Sequence, residues 1–243
     1  MLSAPVVAIH QPNFLPWLGY WCKLAASDRF ILHDNCPLSR TSGGSFTVRV
    51  LGGGEGSKWM RLPVERAPLG TSIDRTRVVE PSSTSLVARL AQRYRRRPYL
   101  DELLHVISTA SVTSRLATYN GAIVRVIAAA LCPHCELLLA SDLDEYSPGP
   151  SHLATLTAAA GGRTYLSGWG GRKYLPGHLG SWDTAELVLF DAESAARSLL
   201  PTHQSPYESI AGRIAERGLS EVRDLLAEVR GRRLEYCSPF SPS

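Results

Sequence analysis

The stretch from Val6 to Asp34, VVAIHQPNFLPWLGYWCKLAASDRFILHD, constrains the fold more than any other part of the chain. It opens with a short β-branched apolar run, Val6 to Ile9, stopped at once by a polar cluster that carries Pro12 and Pro16. Such a run reads as a buried strand that ends in a loop. From Leu18 the apolar spacing becomes helical, through Trp21, Cys22, Leu24 and Ala25, and Arg29 to His33 then reads as a second strand. The order strand, loop, helix, strand is one βαβ unit.

In a parallel βαβ unit the loop after the first strand lies at the carboxyl ends of the strands, where open α/β sheets capture ligands. His10, Gln11 and Asn13 sit on that loop, and Asp34 and Asn35 follow the second strand. If the strands are neighbours, these five polar side chains face one crevice. His10 is the candidate general base, because an imidazole titrates near neutral pH, and Asp34 is the carboxylate expected to orient it.

The segment IHQPNFLPWLGYWCKLAASDRFILHD resembles the signature of the WbqC-like family, a strand running into His-Gln-Pro-Asn-aromatic-Leu-Pro, then a helix and a strand ending in Asp. Further matching pieces are Ser45 to Arg49, Trp59 with Leu62, Pro63 and Val64, then Asn120, Tyr165 to Gly168, Tyr174, Leu175 and Gln204. The resemblance implies a place among bacterial polysaccharide or specialised-metabolite genes. It also implies a histidine in the first helix after the hairpin, where this chain has Ser85 nearby. A looser likeness links the βαβ unit to nucleotidylyltransferase-like folds, in which histidines at the start of the first helix hold nucleotide phosphates. Trp17 and Tyr20 stand at those places here.

At 243 residues and 44% hydrophobic content, the chain is long enough for one sizeable core. No apolar run approaches the roughly 20 residues that span a bilayer, and the first residues lack a signal-peptide pattern, so the expected location is the cytoplasm. The net charge of +4 comes partly from Arg93, Arg95, Arg96 and Arg97; no recognisable nucleic-acid module surrounds this run, and nucleic acid is not the expected partner. Five cysteines are an odd count for a disulfide framework. Cys132-Pro-His-Cys135 falls between a helix and a strand, so its thiols meet the carbonyl end of the helix dipole, and a redox or zinc role is not expected.

Residues 38–65 read as an inserted β-hairpin region, in which Arg40 and Arg49 are candidate partners for a substrate carboxylate or phosphate. Helices are expected over Ser83 to Tyr94, Pro98 to Ile107, Val112 to Leu131, Ser151 to Ala160, Tyr207 to Arg217 and Glu221 to Arg230. Strands are expected over Leu137 to Leu139, Thr164 to Leu166 and Glu186 to Phe190. The strand at Thr164 runs into the glycine-rich Ser167-Gly-Trp-Gly-Gly-Arg-Lys173, a weak anion signal without a dinucleotide spacing. Ser167 and Tyr174 join the candidate substrate contacts, with Gln11, Asn13 and Asn35. Residues 236–243 read as a loose tail.

The alternation predicts a single α/β domain, a mostly parallel Rossmann-like sheet flanked by helices, with nucleotidylyltransferase-like topology among its variants. The expected function is small-molecule or sugar tailoring by acid/base group transfer or condensation on an amine-containing substrate. A nucleotide-dependent, adenylate-forming transferase or ligase and a non-catalytic ligand-binding protein are the alternatives. No metal or cofactor is expected, a nucleotide being the exception the second reading would require. The expected partner is a small molecule, and homodimerisation is left open.

Overall fold

The computed structural model describes residues 4–39, 45–50, 58–175, 182 and 185–240, with the backbone alone at 49 and 50. The first strand, β1 (Val6–His10), leads through α1 (Leu18–Ala25) to β2 (Arg29–Leu32), which pairs beside it in parallel from Val7 opposite Arg29 to His10 opposite Leu32. A two-stranded antiparallel hairpin, β3 (Thr47–Val50) and β4 (Lys58–Arg61), stands apart from the main sheet. Three helices follow, α2 (Ser83–Tyr94), α3 (Leu100–Ser108) and α4 (Leu116–Leu131). The chain then alternates through β5 (Glu136–Leu139), α5 (Pro150–Ala159), β6 (Thr164–Gly168), β7 (Glu186–Phe190), α6 (Ala192–Ser198), α7 (Ile210–Gly231) and β8 (Cys237–Pro239).

The six strands lie in the order β5-β2-β1-β6-β7-β8. The first five are parallel, and β8 runs antiparallel to β7. The chain therefore moves outward from β1 to β2 and β5, then returns to start again on the other side of β1 with β6. This is the Rossmann-like reversal, and it splits the carboxyl ends of β1 and β6, where connections depart in opposite directions.

Alternating side chains serve two cores. Ala8, Phe30, Leu32, Leu166 and Phe190 pack with α1, α4, α6 and α7, while Val7, Ile9, Ile31, Tyr165 and Leu187 pack with α5, Leu175 and Trp182. Local signals set the helix ends. The Ser82 hydroxyl accepts from Ser85 N at 3.1 Å to cap α2, and Pro150 opens α5, where a missing N–H costs nothing. Gly218, at φ 80, breaks α7 internally, so the two expected helices meet in one kinked rod against α3.

Several elements differ from the sequence reading: α3 starts at Leu100 rather than Pro98 and α7 at Ile210 rather than Tyr207, and three further departures have a visible cause. α4 begins at Leu116 rather than Val112, because the residues before it are held extended: Val78 N donates to Ser114 O at 2.7 Å, and Arg77 bridges Arg115. α6 was not expected; Asp191 caps it through Ser194 N at 3.0 Å and Ser194 Oγ at 2.7 Å. Cys237–Pro239, inside the expected tail, pairs with β7 as the edge strand β8, an antiparallel bond that its Ser-Pro composition conceals.

Candidate functional site

The loop from β1 to α1 is fastened at both ends. Gln11 Nε2 donates to Pro37 O at 2.9 Å while its Oε1 accepts from Ser45 Oγ at 3.1 Å, and Asn120 Nδ2 donates to Pro12 O at 2.8 Å and to Ser45 O. At the far end the segment before α7 grips the loop. Ser209 Oγ donates to Leu15 O at 2.9 Å, Ile210 N donates to Pro16 O at 2.9 Å, and Leu18 N donates to Glu208 O at 3.3 Å. Leu15 itself holds φ 41, a left-handed conformation costly for a γ-branched side chain. Strain of this kind persists only where surrounding contacts over-determine the backbone.

These fastenings shape a cavity of ≈ 580 Å³ at the switch point between β1 and β6. His10, Tyr20 and Lys23 line it from β1 and α1, Gly168 from the end of β6, Gly170 from the turn that follows, Asp191 from the β7–α6 junction, and Glu193 and Arg197 from α6. Trp17 and Tyr207 form an aromatic wall with ring centroids 5.4 Å apart, and Trp169 adds a face on which Arg172 stacks at 4.7 Å. Glu193 accepts from Arg197 Nη2 at 2.8 Å and from the Tyr207 hydroxyl, closing the rim.

His10 stands edge-on to Tyr20, with centroids 4.8 Å apart, and its Nδ1 lies 3.1 Å from Gln11 O. A carbonyl accepts only, so Nδ1 carries the proton and Nε2 keeps its lone pair. Burial, then the positive charge of Lys23, lowers the imidazole to about 4. His10 is therefore a neutral base at physiological pH.

Lys23 was not singled out in the sequence. Only 4% exposed, it donates from Nζ to Ile9 O at 2.9 Å and sits 5.9 Å from the Tyr165 ring centroid. Among the described residues no carboxylate lies within ion-pair distance of it. Burial lowers its amine to about 7. The readable signal was the helix LGYWCKLA, apolar all round apart from this one cation.

The remaining candidates divide among other places. The Asp34 carboxylate, expected beside His10, accepts from Ser141 N at 3.0 Å and Ser141 Oγ at 2.7 Å, joining β2 to β5. It borders a cavity against α4, and Asn35, whose Nδ2 donates to Asp144 O at 3.3 Å, borders another with Tyr146. Gln11 works as a clamp, and Asn13 is buried with Oδ1 unpaired. Ser167 is buried beneath the glycine turn, its hydroxyl donating to Gly168 O at 3.1 Å, while Tyr174 is exposed beyond that turn. Arg40 lies outside the described residues, as does the side chain of Arg49, whose backbone pairs with Trp59 in the hairpin.

Cys132 and Cys135 occupy the α4–β5 connection as free, buried thiols. Burial pushes both up, Cys135 to about 11, far from the thiolate a dithiol exchanger uses. No group of three metal-ligating side chains occurs among the described residues, and none of the described helices is long and apolar enough to cross a membrane.

Fold and site define a Rossmann-like α/β protein with an aromatic-walled pocket at the switch point. The chain belongs to the WbqC-like protein family, whose match covers residues 11–194. No match was found among curated proteins or among solved structures.

Proposed function

We propose that the switch-point pocket is the active site of a small-molecule or sugar-tailoring enzyme that carries out acid/base group transfer or condensation on an amine-containing substrate. The observation that carries this reading is His10, a neutral imidazole whose Nδ1 is committed to the Gln11 carbonyl, which leaves Nε2 to accept a proton in the pocket. An amine that attacks an electrophile must shed a proton as the new bond forms, and a fixed neutral imidazole supplies that acceptor. Gln11 thus takes the orienting role through its backbone, and the aromatic wall offers ring faces to a sugar or other flat group. Asp191 and Glu193 at the rim supply acceptors to an incoming ammonium group.

The test is incubation of the protein with metabolite pools rich in amines and amino sugars, followed by mass spectrometry. The expected result is consumption of an amine-bearing compound, slowed by about 100-fold or more in His10→Gln, in line with loss of a general base. Retention of a compound without turnover, equal in wild type and His10→Gln, would replace the enzyme reading with ligand binding.

A further inference from the structure

We propose that Lys23 is a covalent catalyst that forms an imine with an aldehyde or ketone group of a substrate held in the switch-point pocket. The inference rests on the pocket being the active site and names the class of its second substrate.

The chain has three lysines against 23 arginines. Among the described residues the lysine and arginine ion pairs all use arginine: Arg230 on Asp28 at 2.7 Å, Arg213 on Glu208 at 2.9 Å and Arg29 on Glu136 at 2.8 Å. Lysine differs from arginine in being able to shed its proton. One of the three is placed in the wall of this pocket, nearly fully buried, with the Ile9 carbonyl as its one hydrogen-bond partner among the described residues. A structural ammonium so placed would be a buried charge with no counter-ion among the described residues, a strongly disfavoured arrangement. A neutral amine fits instead: one N–H goes to Ile9 O, and the lone pair is left for an electrophile. With the group lowered to about 7, roughly half is unprotonated at neutral pH, against about one part in a few thousand for an ordinary lysine.

The chemistry balances with the groups present. The Lys23 nitrogen adds to the carbonyl carbon, forming a C–N bond while the carbonyl π pair moves to oxygen. His10 Nε2 takes the ammonium proton and returns a proton to oxygen, giving a carbinolamine. His10 then passes the remaining N–H proton to that hydroxyl, the C–O bond breaks as water leaves, and the nitrogen pair closes the C=N bond. A substrate amine adds to that imine carbon and expels Lys23, so the sum is carbonyl plus amine to imine plus water, with no electron transferred.

Reductive trapping tests this on the full chain. Benzaldehyde and sodium cyanoborohydride at pH 7 should benzylate Lys23 at least about tenfold faster than Lys58 or Lys173, as read by peptide mass mapping, with the preference lost near pH 10, where ordinary amines also deprotonate. Lys58 or Lys173 labelling as fast as Lys23 at pH 7 would overturn the proposal. So would a Lys23→Arg variant that keeps full turnover of the amine substrate, because a guanidinium can replace a strut but not an imine-forming amine. Turnover that depends on His10 without trapping at Lys23 would leave the pocket's function standing and this inference alone refuted. Trapping on a folded wild-type protein does not depend on any variant surviving.

Discussion

Two histidines near the strand ends resist protonation, and at the scale of single residues this couples the site to stability. Burial, with neighbouring Lys23 for His10 and neighbouring His152 for His33, lowers both imidazoles to about 4. The unfolded chain binds these protons near 6.5, so between about 6.5 and 4 it takes up protons that the native protein refuses. Stability therefore falls as pH drops through that window and levels off below it, each histidine contributing on the order of a few kcal/mol. Urea unfolding at pH 7 and pH 5 checks this: the midpoint should fall, and His33→Leu should remove part of the fall, whereas an unchanged pH dependence in that variant would show that His33 is not the source. His10 was legible as a candidate because it ends a strand of plain pattern. Its orienting partner was not, since a backbone carbonyl leaves no mark in the sequence. Asp34 shows the opposite failure: its place at a strand end was readable, but its partner Ser141 arrives 107 residues later, only through the pairing of β2 with β5.

At the scale of elements, α1 decides how closely the pocket's walls approach. A Cβ on Gly19 would meet Trp17 ring atoms at 2.2 Å and the Ala192 carbonyl at 2.8 Å, so the glycine sets both the seat of the indole and the contact of α1 with α6. Gly19→Ala should therefore destabilise by about 1–3 kcal/mol, the usual cost of overpacking, although alanine is the better helix former. It should also weaken substrate binding, since Trp17 and Ala192 line the cavity. Thermal unfolding together with KM decides it, and a gain in stability would refute the packing argument. α2 was readable because one face is apolar and its Ser82 cap is local, α1 because its apolar run is broken only by Lys23, and α5 because Pro150 opens it and Gly161-Gly162 closes it. α6 was hidden by its shortness and β8 by its Ser-Pro composition, for both gain their stability from docking on β7 and α1 rather than from their own sequence.

At the scale of the molecule, the strand order places the pocket where related sheets bind nucleotides, yet the usual anion seat is taken by the chain itself. Phosphates bind at the start of the first helix because its leading N–H groups lack partners and carry the positive end of the dipole. In this protein Leu18 N donates to Glu208 O, and the Trp17 indole is packed across Gly19 on the same turn. The imidazoles that would grip a triphosphate in nucleotidylyltransferase-like sites are replaced by Trp17 and Tyr20, neither of which brings a positive charge. Lys173 and Arg172 follow the glycine turn, but Arg172 is stacked on Trp169, and neither lines the cavity. The segment 207–210 would have to leave its bonds to Leu15, Pro16 and Leu18 before a phosphate could reach the helix start. We therefore expect no binding of magnesium-ATP tighter than about 1 mM, the weak limit of roughly 4 kcal/mol in binding free energy. Calorimetry on the wild-type chain provides the measurement. Micromolar binding that is lost in Arg172→Ala/Lys173→Ala would show that the glycine turn supplies the missing anion seat, and would move the adenylate-forming chemistry ahead of direct condensation.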